Sequence, residues 1–129
     1  MISNTKPLVL AAVLASFSVP AFAQTQADQM AVAYQAARNQ LGILGYCSDK
    51  GFVGADVVEI QKKLVGMIPA PADKSGGDTA EAAGKKGTIS AMGMTQDIEA
   101  VAKAQGGTAQ AFCTQIGAAI KQAGAALPK

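Results

Sequence analysis

The stretch from Asp28 to Tyr46, DQMAVAYQAARNQLGILGY, decides how the rest of the chain is read. In it Met30, Tyr34, Ala37, Leu41 and Leu44 recur at alternating steps of four and three, which sets them on one face of an α-helix. Asp28 stands near the start of that helix, where a carboxylate favours the dipole. Asp49-Lys50-Gly51 supplies a stop and a turn, leaving Cys47 in the last helical turn.

The same period continues outward. A second helix begins near Gly54 or Ala55, since Val57, Ile60, Leu64, Met67 and Ile68 repeat at helical spacing while Glu59, Lys62 and Lys63 take the other side. Pro69 and Pro71 end it, because proline lacks the amide hydrogen and disfavours a helical residue before it. Residues Ala72 to Gly77 are small and glycine-rich and read as a loop. Asp78 with Glu81 marks the start of a third helix, although Gly84, Gly87 and Gly93 would each cost about 1 kcal/mol relative to alanine inside it. Met94, Ile98, Val101 and Ala102 mark a fourth, which stops at Gly106-Gly107. Thr108 caps a fifth, whose stripe of Phe112, Ile116, Ile120 and Ala123 runs to Leu127 before Pro128. With no period-two alternation, the expected fold is all-α, a small four- or five-helix bundle.

Ahead of these elements lie Lys6, an apolar run from Leu8 to Val19, Pro20, and Ala21-Phe22-Ala23 before Gln24. This is the pattern of a secretory signal peptide over residues 1–23, cleaved after Ala23. It predicts a single helical domain over 24–129 that is periplasmic or secreted. An oxidising compartment makes Cys47 and Cys113 a structural disulfide. A redox-active pair would show Cys-x-x-Cys spacing, which is absent, while two buried free thiols remain the open alternative. The bridge closes a long loop, for which lost chain entropy gives about 4 kcal/mol of stabilisation. It also sets the first and last helices antiparallel, with Met30, Tyr34 and Leu41 facing Ile116, Ile120 and Leu127.

Composition narrows the function. Eleven basic side chains face nine acidic ones, a net charge of +2, so no strong pull toward nucleic acid is expected. The chain has no histidine, which removes Ser-His-Asp and Cys-His chemistry and the commonest nitrogen ligand of transition metals. Ser48, Ser75 and Ser90 have no Ser-x-x-Lys spacing to activate them. The expectation is a protein that is not an enzyme and carries no cofactor or metal. Several features keep two uses each. Ala83, Gly87 and Ala91 repeat a small residue every fourth position, a spacing that serves close helix approach in membranes or tight packing in a small bundle. Lys62-Lys63 and Lys85-Lys86 either meet an anionic partner or cover a solvated helix face. Tyr34 and Tyr46 stack on a ligand or pack in the core, with Tyr46 placed to cover the bridge. Met92 and Met94 form an adaptable apolar surface or fill gaps in the core.

The order of landmarks carries a resemblance. Arg38-Asn39-Gln40-Leu41-Gly42 running to Tyr46-Cys47, then Val65-Gly66-Met67-Ile68-Pro69, Gly87-Thr88-Ile89-Ser90-Ala91-Met92-Gly93, and Phe112-Cys113 are together similar to a group of small secreted bacterial proteins. That group is labelled the pore-forming ESAT family, after the early secreted antigenic target proteins. The resemblance implies a small exported helical protein that is membrane-active or works by protein interaction. It would meet copies of itself, a protein partner or a membrane surface. Size, helicity and a single long-range bridge also resemble the acid-stress chaperones, so a periplasmic chaperone or stress-binding module is the alternative.

Overall fold

Thr25 opens the first helix: its hydroxyl oxygen accepts from the Asp28 amide at 3.2 Å and its hydroxyl donates to the Asp28 carboxylate at 2.7 Å. The computed structural model describes residues 25–129; the signal peptide expected over 1–23 lies outside them. The elements are α1 (Gln26–Asp49), α2 (Ala55–Gly66), α3 (Ser75–Lys85), β1 (Thr88–Ala91), β2 (Met94–Asp97), α4 (Ile98–Ala104) and α5 (Ala109–Ala125).

Helix α1 buries more than the one face that its spacing predicts. Tyr34, Asn39, Gly42, Ile43, Leu44 and Cys47 are all buried, because α3 lies along one side of the helix and α2 with α5 along another. The contact with α3 is made backbone to backbone. A Cβ built on Gly42 would run into the Glu81 carbonyl oxygen and sit 2.9 Å from the Lys85 amide nitrogen. A Cβ on Gly84 would strike the Asn39 carbonyl oxygen and sit 2.7 Å from the Ile43 nitrogen. Two turns earlier, the Tyr34 ring lies against Gly77, where a Cβ would come within 2.6 Å of Cε1. The glycines that lower the helix propensity of α3 are therefore what lets it lie so close.

Polar groups seal the same contact. Arg38 donates to Glu81 at 2.6 Å, to Asp78 at 2.7 Å and to the Tyr34 hydroxyl at 2.7 Å. Burial alone favours its neutral form, yet the hydrogen bonds to Glu81, Tyr34 and Asp78 outweigh this and hold the guanidinium charged. Asn39, only 3% exposed, donates to the carbonyls of Ala80 at 2.8 Å and Thr88 at 3.0 Å, and accepts from the Ser90 amide at 3.0 Å.

The all-α expectation needs correction, because the protein contains a two-stranded antiparallel sheet. The third helix does not run through Gly87 and Gly93 but ends at Lys85. Gly87 takes a left-handed φ of +82° and its amide closes onto the Gly84 carbonyl at 2.9 Å, a helix stop that favours glycine. The helix also starts earlier than Asp78, at Ser75, whose amide is held by the Asp73 carboxylate at 2.9 Å. Met94 stands on β2 and does not open the fourth helix; that helix starts at Ile98, capped by Asp97, which accepts from the amides of Glu99 and Ala100. Thr108 caps α5 as expected, accepting from the Ala111 amide at 3.1 Å.

Two apolar clusters form the core. One joins Ile43, Cys47, Ile98 and Cys113, the other Leu44, Val57 and Ile120, and partly buried Val53 and Ile116 touch both. Cys47 and Cys113 are bonded, with Cα atoms 5.6 Å apart and both side chains fully buried. The predicted face of Met30, Tyr34 and Leu41 on α5 is not what forms. Only the end of α1 near the bridge meets α5, through Leu44 and Ile120. Further along, α5 packs on α2: Gly117 faces Val53 and Val57, and Gly124 faces Ile60. Tyr34 instead turns toward α3.

Three outcomes follow for stability. Gly42→Ala should lower stability by at least about 2 kcal/mol, since its Cβ meets backbone that cannot rotate away. Gly45→Ala, three residues on in the same helix, meets nothing nearer than the Lys85 side chain at 3.9 Å; it should raise stability by about 0.5–1 kcal/mol. Denaturant unfolding of the two variants measures the contrast. Asn39→Ala should cost about 3 kcal/mol in the same assay, because it leaves two carbonyls and an amide without their partner.

A further outcome concerns pH. The Tyr46 phenol is pushed above its usual range by burial first, then by the charges of Glu99 and Asp97 and a hydrogen bond with Glu99. A raised folded value means that the native state holds this proton more tightly than the unfolded chain. The stabilisation is complete below the ordinary tyrosine value of about 10 and is lost as pH rises through the folded value. Melting curves of the wild type and Tyr46→Phe should therefore diverge above about pH 10, with the variant losing less.

Candidate functional site

Residues 88–97 are held at both ends and free in the middle. At the base, the Ile98 amide donates to the Gly87 carbonyl at 2.9 Å. Above it Thr88 opposes Asp97, Ile89 opposes Gln96, Ser90 opposes Thr95 and Ala91 opposes Met94. This register leaves Met92 and Gly93 as a two-residue turn with φ of +52° and +77°. Two successive left-handed residues are the mark of a type I′ hairpin, whose twist matches the strands on either side.

The Asn39 side chain fixes this hairpin to α1. In an antiparallel pair, alternate residues turn their backbone groups away from the partner strand. On β1 the Thr88 carbonyl and the Ser90 amide are engaged by the Asn39 amide group, which both donates and accepts as a peptide unit of a third strand would. Ile89 packs into the cluster around the disulfide. The root of the hairpin is thus clamped from two sides, and its tip has a defined position relative to α1.

At that tip stands Met92, a residue in a conformation that suits glycine or asparagine. A left-handed φ costs an ordinary side chain roughly 1–2 kcal/mol. No packing offsets the cost, since Met92 is 85% exposed and Met94 is 66% exposed. Below the tip, Ser90, Ala91 and Met92 face Val32, Gln35 and Ala36 of α1 across a groove of about 370 Å³. Val32 is itself 42% exposed, so apolar surface continues from the turn to the first half of α1. A second depression of about 390 Å³ is lined by Tyr34, Met67 and Pro69 among others, and there Met67 is 64% exposed.

The remaining residues singled out from the sequence fall into place around this site. Cys47 and Cys113 form a buried bridge, out of reach of an attacking thiolate. Tyr46 packs against the cluster containing the bridge, with the Lys50 ammonium 5.6 Å above its ring. Tyr34 is buried under the Arg38 guanidinium, 5.5 Å away, and offers no open stacking face. Lys62 pairs with exposed Glu59 at 2.7 Å and Lys85 with half-buried Glu81 at 3.2 Å, pairs between neighbouring helical turns worth a few tenths of a kcal/mol. Ala83, Gly87 and Ala91 sit on a helix, a turn and a strand, so they form no common ridge. The small-residue ridge that does exist is Gly77, Ala80 and Gly84, buried against α1.

Among the described residues, no group of three or more His, Cys, Asp or Glu side chains converges as a metal site would require, and no helix is long and apolar enough to cross a membrane. The tip and groove offer thioethers and apolar carbon as surface for packing contacts. Sequence reasoning noticed Met92 and Met94 but missed the hairpin that displays them. The signal was present in β-branched Thr88, Ile89 and Thr95 on either side of a two-residue Met-Gly break. No family model, curated protein or solved structure matches this chain, so the hairpin tip and its groove are read from their own geometry.

Proposed function

We propose that this is an exported, non-enzymatic interaction protein that docks an apolar segment of a protein partner on its Met92–Met94 tip and the groove beneath. The observation that carries the reading is Met92 itself: a long apolar side chain in a left-handed turn position, exposed to solvent. Backbone strain left uncompensated by packing points to a use for the side chain. Methionine suits that use, because its unbranched, polarizable side chain adapts to surfaces of different shape. The disulfide supports export, and the resemblance to the pore-forming ESAT group supports a role in association over catalysis.

A protein partner is favoured over a bilayer by the hairpin's composition. Elements that bury themselves in a membrane interface pair Trp, Phe or Leu with Lys or Arg. Residues 88–97 contain none of these and end in Asp97, with Glu99 close behind.

The test uses Met92→Gly, which relieves the turn while removing the side chain. Thermal melting should show the variant more stable, with Tm raised by about 3–6 °C. In the producing cells, a photo-activatable methionine analogue should cross-link the wild type to discrete protein species through residues 92 and 94, and those adducts should be lost in the variant. Adducts with lipid alone, together with dye leakage from vesicles, would overturn the protein-partner reading in favour of membrane activity. Suppression of client aggregation only after acidification would instead support the stress-binding alternative.

A further inference from the structure

Among the described residues, the sulfur atoms divide sharply by accessibility. Both cysteines are joined in a fully buried disulfide, so no thiol is free to meet an oxidant. Oxidant chemistry at sulfur is left to the thioethers. Met30 is half-buried on α1, whereas Met67, Met92 and Met94 are exposed. Two of those three stand one residue apart on the same turn, and every residue of β2 beside them is exposed as well.

We infer that Met92 and Met94 form an oxidant-responsive modification site, converted to methionine sulfoxide by hydroperoxides or hypohalous acids. With hydrogen peroxide, a sulfur lone pair attacks one peroxide oxygen, the S–O bond forms as the O–O bond breaks, and the departing hydroxide takes up the remaining proton as water. Sulfur loses two electrons and the peroxide gains them. A thioether has no proton to lose, so unlike a thiol it needs no neighbouring base and no lowered pKa. Access to the lone pair governs the rate, and the tip grants it from the solvent side.

The product changes the character of the surface. A sulfoxide is polar and chiral, so oxidation of both residues turns the apolar tip into a hydrogen-bond-accepting one. Methionine sulfoxide reductases reverse the step, which makes the change a switch. Because neither side chain packs in the core, the switch is thrown without unfolding the protein. One consequence rests on the proposed function: where the tip docks an apolar partner, oxidation releases it.

Timed exposure of the intact protein to hydrogen peroxide, followed by peptide mapping, tests the site. Met92 and Met94 should oxidise at rates within about twofold of free methionine, with Met67 as an exposed comparator and Met30 at least about tenfold slower. Circular dichroism and Tm should stay unchanged once the tip is oxidised, and a sulfoxide reductase should restore the original mass. Tip methionines that react as slowly as Met30, or a protein that unfolds when they react, would overturn the inference. A doubly substituted Met92→Leu, Met94→Leu protein keeps the tip apolar and should lose only these two oxidations. The docking reading fails separately: once cross-linking has identified the partner, tip oxidation of the protein with its natural methionines that leaves capture of that partner unchanged would overturn it while the modification site stands.

Discussion

Where α1 and α3 meet at Gly42 and Gly84, main chain lies on main chain with no side chain between, and most of the remaining architecture depends on that closeness. A single methyl group at either position would force the helices apart. Separation would carry Ala80 away from the Asn39 amide, and Asp78 with Glu81 away from Arg38. It would also shift the point at which the chain leaves α3, and with it the base of the hairpin. The glycines thus do two jobs at different scales, loosening a helix locally and permitting its docking globally.

Long-range polar contacts then convert closeness into a specific geometry. Asn39 reaches partners 41, 49 and 51 positions further along the chain, spanning the whole of α2. Apolar packing alone would tolerate some sliding of α3 along α1, whereas an amide that must satisfy two carbonyls and an amide hydrogen allows one register. Arg38 acts likewise, with its fork divided between two carboxylates of α3. The disulfide fixes the other end of α1 against α5, so the longest helix is pinned near its middle by hydrogen bonds and near its end by a covalent bond.

The sequence was most legible where a physical signal acts locally. Thr108 caps α5, Pro69 follows the end of α2, and Val57, Ile60 and Leu64 of one stripe and Phe112, Ile116 and Ile120 of the other do face the core, whereas Met67 and Ala123 are exposed. Glycine was the point of failure, because its meaning depends on a backbone angle that its neighbours do not declare. At Gly84 it permits contact, while at Gly87 and Gly93 it supplies a left-handed turn, and a helix-propensity argument treats all three alike. Asn39 was hidden for a related reason: a polar residue on a helix reads as solvated until the element covering it is known. For the candidate site, the chemistry of Met92 and Met94 could be named from the sequence, but the choice between core filler and displayed surface required the hairpin.

The bridge has a further effect on how the molecule survives cutting. Cys47 and Cys113 turn residues 47–113 into a covalent ring with two tails, and α2, α3, the hairpin and α4 all lie on the ring. A single peptide bond broken anywhere between them, including in the exposed connector after α2, releases no fragment. Such a nicked protein keeps its full mass until a reductant opens the bridge. The disulfide thus guards against loss of parts as well as bracing the fold.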